Sequence, residues 1–154
     1  MANAVGDGDV RTLTFSADTS GMADNDVIAA PQEIPSFFRS KGGIAYIHSI
    51  VLTDDDDQAQ DIELVFLNAD GSIGAENSTY TTTDAVLGTI VGTVLLENAD
   101  YSDATNGQTL TKANIGLMVK AGVGDDSIYV GAVCRSGTPT YSADGLSIQI
   151  GVMY

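Results

Sequence analysis

The residues of this chain best able to do chemistry are its carboxylates, and the densest group is Asp54 to Asp57 in the stretch LTDDDDQAQDIELVFLNADGS. Consecutive carboxylates repel one another and cannot all turn to one ion, whereas a calcium loop places its ligands at alternate positions around a glycine. The later NADGSIGAEN has Asn68, Asp70 and Ser72 in alternation, but its glycines at 71 and 74 are out of place and the closing bidentate Glu is missing. The run therefore reads as a solvated corner between two strands. Asp54, Asp56 and Asp70 are the residues that a weak calcium or magnesium site would use. Asp61 and Glu63 have a spacing open to glycoside hydrolysis, yet among 21 Asp and Glu such pairs arise by chance.

His48 and Cys134 are the lone histidine and the lone cysteine. As a nucleophile and its base they would need only closeness in space. Each sits in an apolar run, IAYIHSIVLT and IYVGAVC, away from any Gly-rich strand-to-helix elbow that would expose a nucleophile. A buried inert thiol and a packed or half-exposed histidine are expected. One His and one Cys do not make a zinc site, and the phosphate-cradling patterns GxGxxG and GxxxxGK[ST] are absent. The chain is expected to be no enzyme, to use no cofactor, and to work through surface and shape.

The elements that must position these residues follow from composition and period. A chain of 154 residues is one ordinary domain. With 6 Lys and Arg against 21 Asp and Glu its formal charge is -15, which repels phosphate backbones and anionic lipid, so neither nucleic acid nor membrane is an expected partner. No apolar signal segment follows a basic start, and no window approaches a membrane span in length. From Gly43 the pattern has period two: Ile44, Tyr46, His48, Ile50 and Leu52 fall on one face of a strand, and Ala45, Ile47, Ser49 and Val51 on the other. DIELVFL, IVGTVLLE, NIGLMVK, SIYVGAVCR and GLSIQIGVM follow at strand length, separated by turn signals such as Asp70-Gly71 and Asp144-Gly145. TTTDAVLG predicts one helical turn capped by Thr82 or Thr83. Two further strands, near Val10 to Phe15 and Val27 to Ala30, bring the count to about eight. The class is all-β: a two-sheet antiparallel sandwich, jelly-roll-like, with an immunoglobulin-like sandwich second because there is no Trp and no paired Cys.

Residues 1–26 are rich in Gly, Asp, Ser and Ala and bury little alone, so they predict an extended N-terminal arm ahead of a single sandwich domain at 27–154. Val10, Leu13 and Phe15, with Arg11 among them, have the character of an added strand. The arm is expected to be mobile in the free protein and ordered on assembly.

The stretch FFRSKGGIAYIHSIVLTDDDDQAQDIELVFLNAD and the later TKANIGLMVKAGVGDDSIYVGAVCRSGTPTYSADGLSIQIGVMY together resemble small proteins found among the virion structural genes of tailed bacteriophages, taken to be capsid decoration (cement) proteins. A glycine-led strand, an Asp-rich turn, a Phe-containing strand, an Arg-x-Gly-Thr-Pro-Thr-Tyr corner and a closing alternating strand stand in order over roughly Ile34 to Tyr154. The resemblance implies synthesis in a host cytoplasm and a place on the outer capsid surface of the virion. It implies binding to the major capsid protein as a homo-oligomer, with a trimer favoured, and it brings no catalytic set. On this reading Val10, Arg11, Leu13, Phe15, Arg39, Lys41, Pro139 and Tyr141 are the candidate interaction residues. The alternative is a jelly-roll binding module for glycan or a host surface, assisted by calcium at the aspartates.

Overall fold

A computed structural model describes residues 7–154. Its strands are β1 (Gly8–Thr14), β2 (Val27–Ile34), β3 (Ile44–Asp54), β4 (Ile62–Leu67), β5 (Ile90–Leu96), β6 (Tyr101–Asp103), β7 (Gln108–Lys112), β8 (Leu117–Lys120), β9 (Ile128–Cys134) and β10 (Leu146–Met153). One helical turn, α1 (Asp84–Leu87), is capped by the Thr83 hydroxyl, which accepts from Val86 N. One sheet runs β1-β10-β3-β7-β6 with β8 also on β3, the other β2-β9-β4-β5, and every strand pair within the sheets is antiparallel. With β7 and β8 taken as one interrupted strand, first lies beside last, second beside second-last, and so inward to β4 beside β5. That is a hairpin ribbon rolled into two sheets, the jelly roll. The strands beyond the expected eight are short: β6, and β7, whose Gln108 and Leu110 face in while Thr109 and Thr111 face out.

The first strand lies where composition predicted an arm. β1 pairs along its whole length with β10, from Gly8 opposite Met153 to Thr14 opposite Ser147. Beyond it Phe15 N donates to Leu146 O, Ala17 N to Ala143 O and Met22 N to Pro139 O, and Phe15, Ala17 and Met22 are buried in the core between the sheets. Residues 8–26 therefore belong to the sandwich, and the packing has no boundary at residue 26. An edge strand with one wet face needs few apolar residues once its backbone groups are paired, which is why this segment looks like a linker in composition. The rest of the expected arm, residues 1–6, lies outside the described residues.

Period two also fails inside β3. Ala45 and Ile47 face inward, and then Ile50, Leu52 and Asp54 do. The register against β10 slips between Gly151 and Val152, so His48 is the extra residue of a β-bulge. Its carbonyl accepts from Ile115 N at 2.9 Å, in the gap between β7 and β8. Ile44, Tyr46 and His48 are thereby turned to solvent instead of sharing a face with Ile50 and Leu52.

Apolar patterning follows what covers each sheet. β4 and β9 are nearly continuous in apolar residues because both their faces are buried. Inside, Ile62, Leu64, Phe66, Val130 and Ala132 join the main core, while outside, Val65, Leu67 and Val133 join Val27 and Ile73 in a second cluster. Ile73 comes from the long β4–β5 connection and sits over Gly131, where a Cβ would lie 2.6 Å from its Cδ1. The other sheet's β10 alternates strictly, since among the described residues its outer face carries no such roof.

Candidate functional site

The strands that end at Asp54 and begin at Ile62, Gln108 and Leu146 bring the acidic connections to one end of the sandwich. There the aspartate run is a corner built on one carboxylate. Asp54 is fully buried, and its Oδ1 accepts from Asp56 N at 3.0 Å while Oδ2 accepts from Gln58 N at 2.8 Å and Ala59 N at 2.9 Å. These bonds hold a tight reversal in which Asp57 and Ala59 adopt positive φ. Asp56 Oδ2 accepts from the backbone N and hydroxyl of Ser142, and Asp57 Oδ1 accepts from Gln108 Nε2, so the run is stitched to two neighbouring connections. Burial raises the Asp54 carboxyl above the usual carboxylate range, although its three N–H donors pull the other way. Asp70 follows β4 at the opposite end, apart from Asp54 and Asp56. Among the described residues no group of three His, Cys, Asp or Glu stands in metal-holding range.

His48 and Cys134 are not brought together. His48 is exposed on the outer face of the six-stranded sheet, while Cys134 is buried in the four-stranded one with its thiol donating to Ser136 O. Burial pushes that thiol upward, toward its protonated and unreactive form. The RSGTPTY corner is structural as well. Pro139 and Tyr141 are buried, which corrects their expected place among the contact residues. The Tyr141 hydroxyl has no hydrogen-bond partner among the described residues, and its burial raises its pKa. Arg135 is bonded to Glu63 at 2.6 Å and to Asn25 Oδ1, and stacks over Tyr80.

The remaining expected contact residues divide. Arg39 pairs with Asp7 at 2.6 Å and lies over the Tyr154 ring, and Arg11 pairs with Asp9 at 3.0 Å and donates to the Tyr154 hydroxyl. These cations tie β1 to the C-terminal residue. Lys41 is exposed beside Asp125, whose carboxyl is held below its usual range by the N–H of Ser127 and by that lysine. Leu13 packs on the core and Phe15 lies within it. Val10 alone of the three turns outward.

Val10 belongs to a surface that periodicity could not reveal. Ile44 (54% exposed), Tyr46 (43%), Met118 (53%), Met153 (42%) and Val10 (59%) all lie on the outer face of the six-stranded sheet. Gly8, Met153, Tyr46 and Met118 stand directly opposite one another across β1, β10, β3 and β8. Among the described strand residues no carboxylate projects from this face, since Asp9 at its edge is turned to Arg11. The stripe was hidden because the bulge at His48 reassigns which residues face out.

No protein-family description matches the chain, and no curated protein does. Solved structures that it resembles in part include one titled for Desmodium yellow mottle tymovirus, at 13% identity over 99% of this chain and 83% of that one, with a TM-score of 0.30. Another is that of infectious bursal disease virus Gx strain, at 11% identity over 96% and 32%, TM-score 0.28. A marine algae virus of the order Picornavirales gives 13% identity over 99% and 72%, TM-score 0.25. At these scores the likenesses carry no argument about function.

Proposed function

We propose that this chain is a structural protein of a tailed-bacteriophage virion, a decoration protein that binds the outer capsid surface and stabilises contacts between shell subunits. The observation that carries the reading is where the resembling stretches fall in the fold. The first builds β3, the Asp54 corner and β4, and the second builds β8, β9 and β10, so together they supply the middle of both sheets and the acidic end. Jelly rolls serve viral capsids and lectins alike. In this chain Asp54, Asp56 and Asp57 are occupied with internal hydrogen bonds, which speaks for the acidic end as a rigid docking surface over a calcium-assisted sugar site. Its partner on the shell subunit would be a basic patch.

The test is to quantify the chain in purified particles and to rebind it to particles from which it has been removed. A fixed ratio to the shell subunit, with release that rises as salt is raised, is the expected result. Absence from particles, or retention on immobilised glycan instead, would overturn the reading in favour of a binding module.

A further inference from the structure

We infer that the bare face of the six-stranded sheet is a docking surface for a second copy of this chain, packed sheet on sheet about a twofold axis. The first ground is charge. Two bodies of formal charge -15 repel wherever their carboxylates meet, and on this face the one bordering acid, Asp9, is paired with Arg11 at 3.0 Å, so that two copies can approach with their unpaired acids apart. A foreign basic partner would be drawn to the acidic end, whereas this face suits a partner as acidic as the chain itself.

The second ground is shape. Over β1 and β10, and reaching His48 of β3, an open depression of about 520 Å³ is lined by Gly8, Asp9, Val10, His48, Gly151, Val152 and Met153, two of them without side chains. On the β3 and β8 half the same row carries projecting Tyr46 and Met118. A twofold axis lying in the face, parallel to the strands between β10 and β3, exchanges these halves. It sets Met118 of the second copy over Gly8 and into the depression, and Tyr46 of the second copy against Met153, a sulfur–aromatic contact. Each contact then occurs twice, as an isologous interface requires.

Four strands about 4.8 Å apart, with about seven residues of each at about 3.3 Å, make a face on the order of 450 Å². A pair would bury on the order of 900 Å² in all, below the roughly 1,200 Å² of stable complexes, so association is weak and concentration-dependent.

Sedimentation of the full chain from about 10 μM to about 1 mM tests this, with a reversible monomer–dimer equilibrium expected. Raising salt should strengthen it several-fold by screening the acids. Met118→Glu and Gly8→Leu should each weaken it at least about tenfold with melting in dilute solution unchanged, the Gly8 Cβ position being 3.5 Å from its nearest neighbour, Val152 O. A double variant, Gly8→Cys with Met118→Cys, should be joined between copies by a bis-maleimide reagent spanning about 10 Å, the face-to-face spacing of packed sheets. The product is read as a species of twice the mass on a denaturing gel, so that any link within one copy is not counted. A monomer throughout the range, association that weakens with salt, variants that associate like the parent, or no cross-link would overturn the inference. Dimerisation of the pure protein is read without particles, so its failure leaves the virion reading standing, and the converse holds.

Discussion

The outer face of the four-stranded sheet is roofed by the β4–β5 connection, with Ile73 seated over Gly131 and Tyr80 and Val86 packed beside it. The outer face of the six-stranded sheet has no such roof among the described residues and leaves Tyr46, Met118 and Met153 in solvent. Both faces carry large apolar side chains, yet the described residues cover only one. A covered face adds to the fold's own stability through burial, and an uncovered one adds only when another body arrives. Substitutions on the two faces should therefore differ in where their cost appears.

The largest effect is expected where β1 enters the core. Phe15 is fully buried between the sheets, so Phe15→Ala should cost about 3–5 kcal/mol and lower melting by roughly 10 °C. Melting within about 2 °C of the parent would make β1 a detachable arm, and the sheet that bears the bare face would then lose its edge strand at little cost. Next comes the roof: Ile73→Ala should cost about 2–4 kcal/mol by opening a cavity above Gly131. A change under about 0.5 kcal/mol would mean that the roof rests on the sheet without stabilising it, and the contrast between the faces would fail.

Much of this was legible in the sequence and some was not, for physical reasons that can be located. The alternation of GLSIQIGVM against the continuous IYVGAVC marks a sheet with one buried face and a sheet with two, and both strands were found. Thr83 as a cap and the Asp run as a corner were equally visible. What escaped depended on partners distant in sequence. β1 gains its place from pairing with β10, as at Leu13 opposite Ile148, and from the Arg11 side chain, which donates to the Tyr154 hydroxyl 143 residues on, and composition carries no trace of such pairing. The bulge at His48 needs the register against β10 before it can be seen, and without it the exposed stripe is assigned to the interior. Pro139 and Tyr141 are expected contact residues on the resemblance alone, and nothing in RSGTPTY itself shows that the corner folds back over the core.

The corner under the acidic end gives an intermediate effect. In Asp54→Asn an amide N–H would face backbone N–H groups that now donate to a carboxylate, at a cost of about 2 kcal/mol measured by denaturant unfolding. The pH dependence has a definite sign. Because burial raises the folded-state pKa of Asp54, its contribution is fully present below the ordinary carboxylate pKa and is lost as pH rises through the raised value. Stability from this group should therefore rise as pH is lowered through the raised value toward the ordinary carboxylate pKa, and Asp54→Asn should lack that part of the slope. An identical slope in the variant would assign the dependence to repulsion among the other acids.

The smallest effect on the isolated fold is expected on the bare face, where Tyr46→Ser and Met118→Ser remove side chains that are about half exposed. In dilute solution, where no second copy is bound, each should change unfolding free energy by no more than about 0.5 kcal/mol. The opposite strand neighbours, Met153 beside Tyr46 and Tyr46 beside Met118, lose a flank but keep their backbone pairing. At high protein concentration the parent gains stability by mass action if copies associate, and these variants do not, so the gap in melting between parent and variant should widen with concentration. A gap of 2 kcal/mol or more already present at about 1 μM would show that the stripe supports its own sheet, as Ile73 supports the other, and the difference between the two faces would be one of degree.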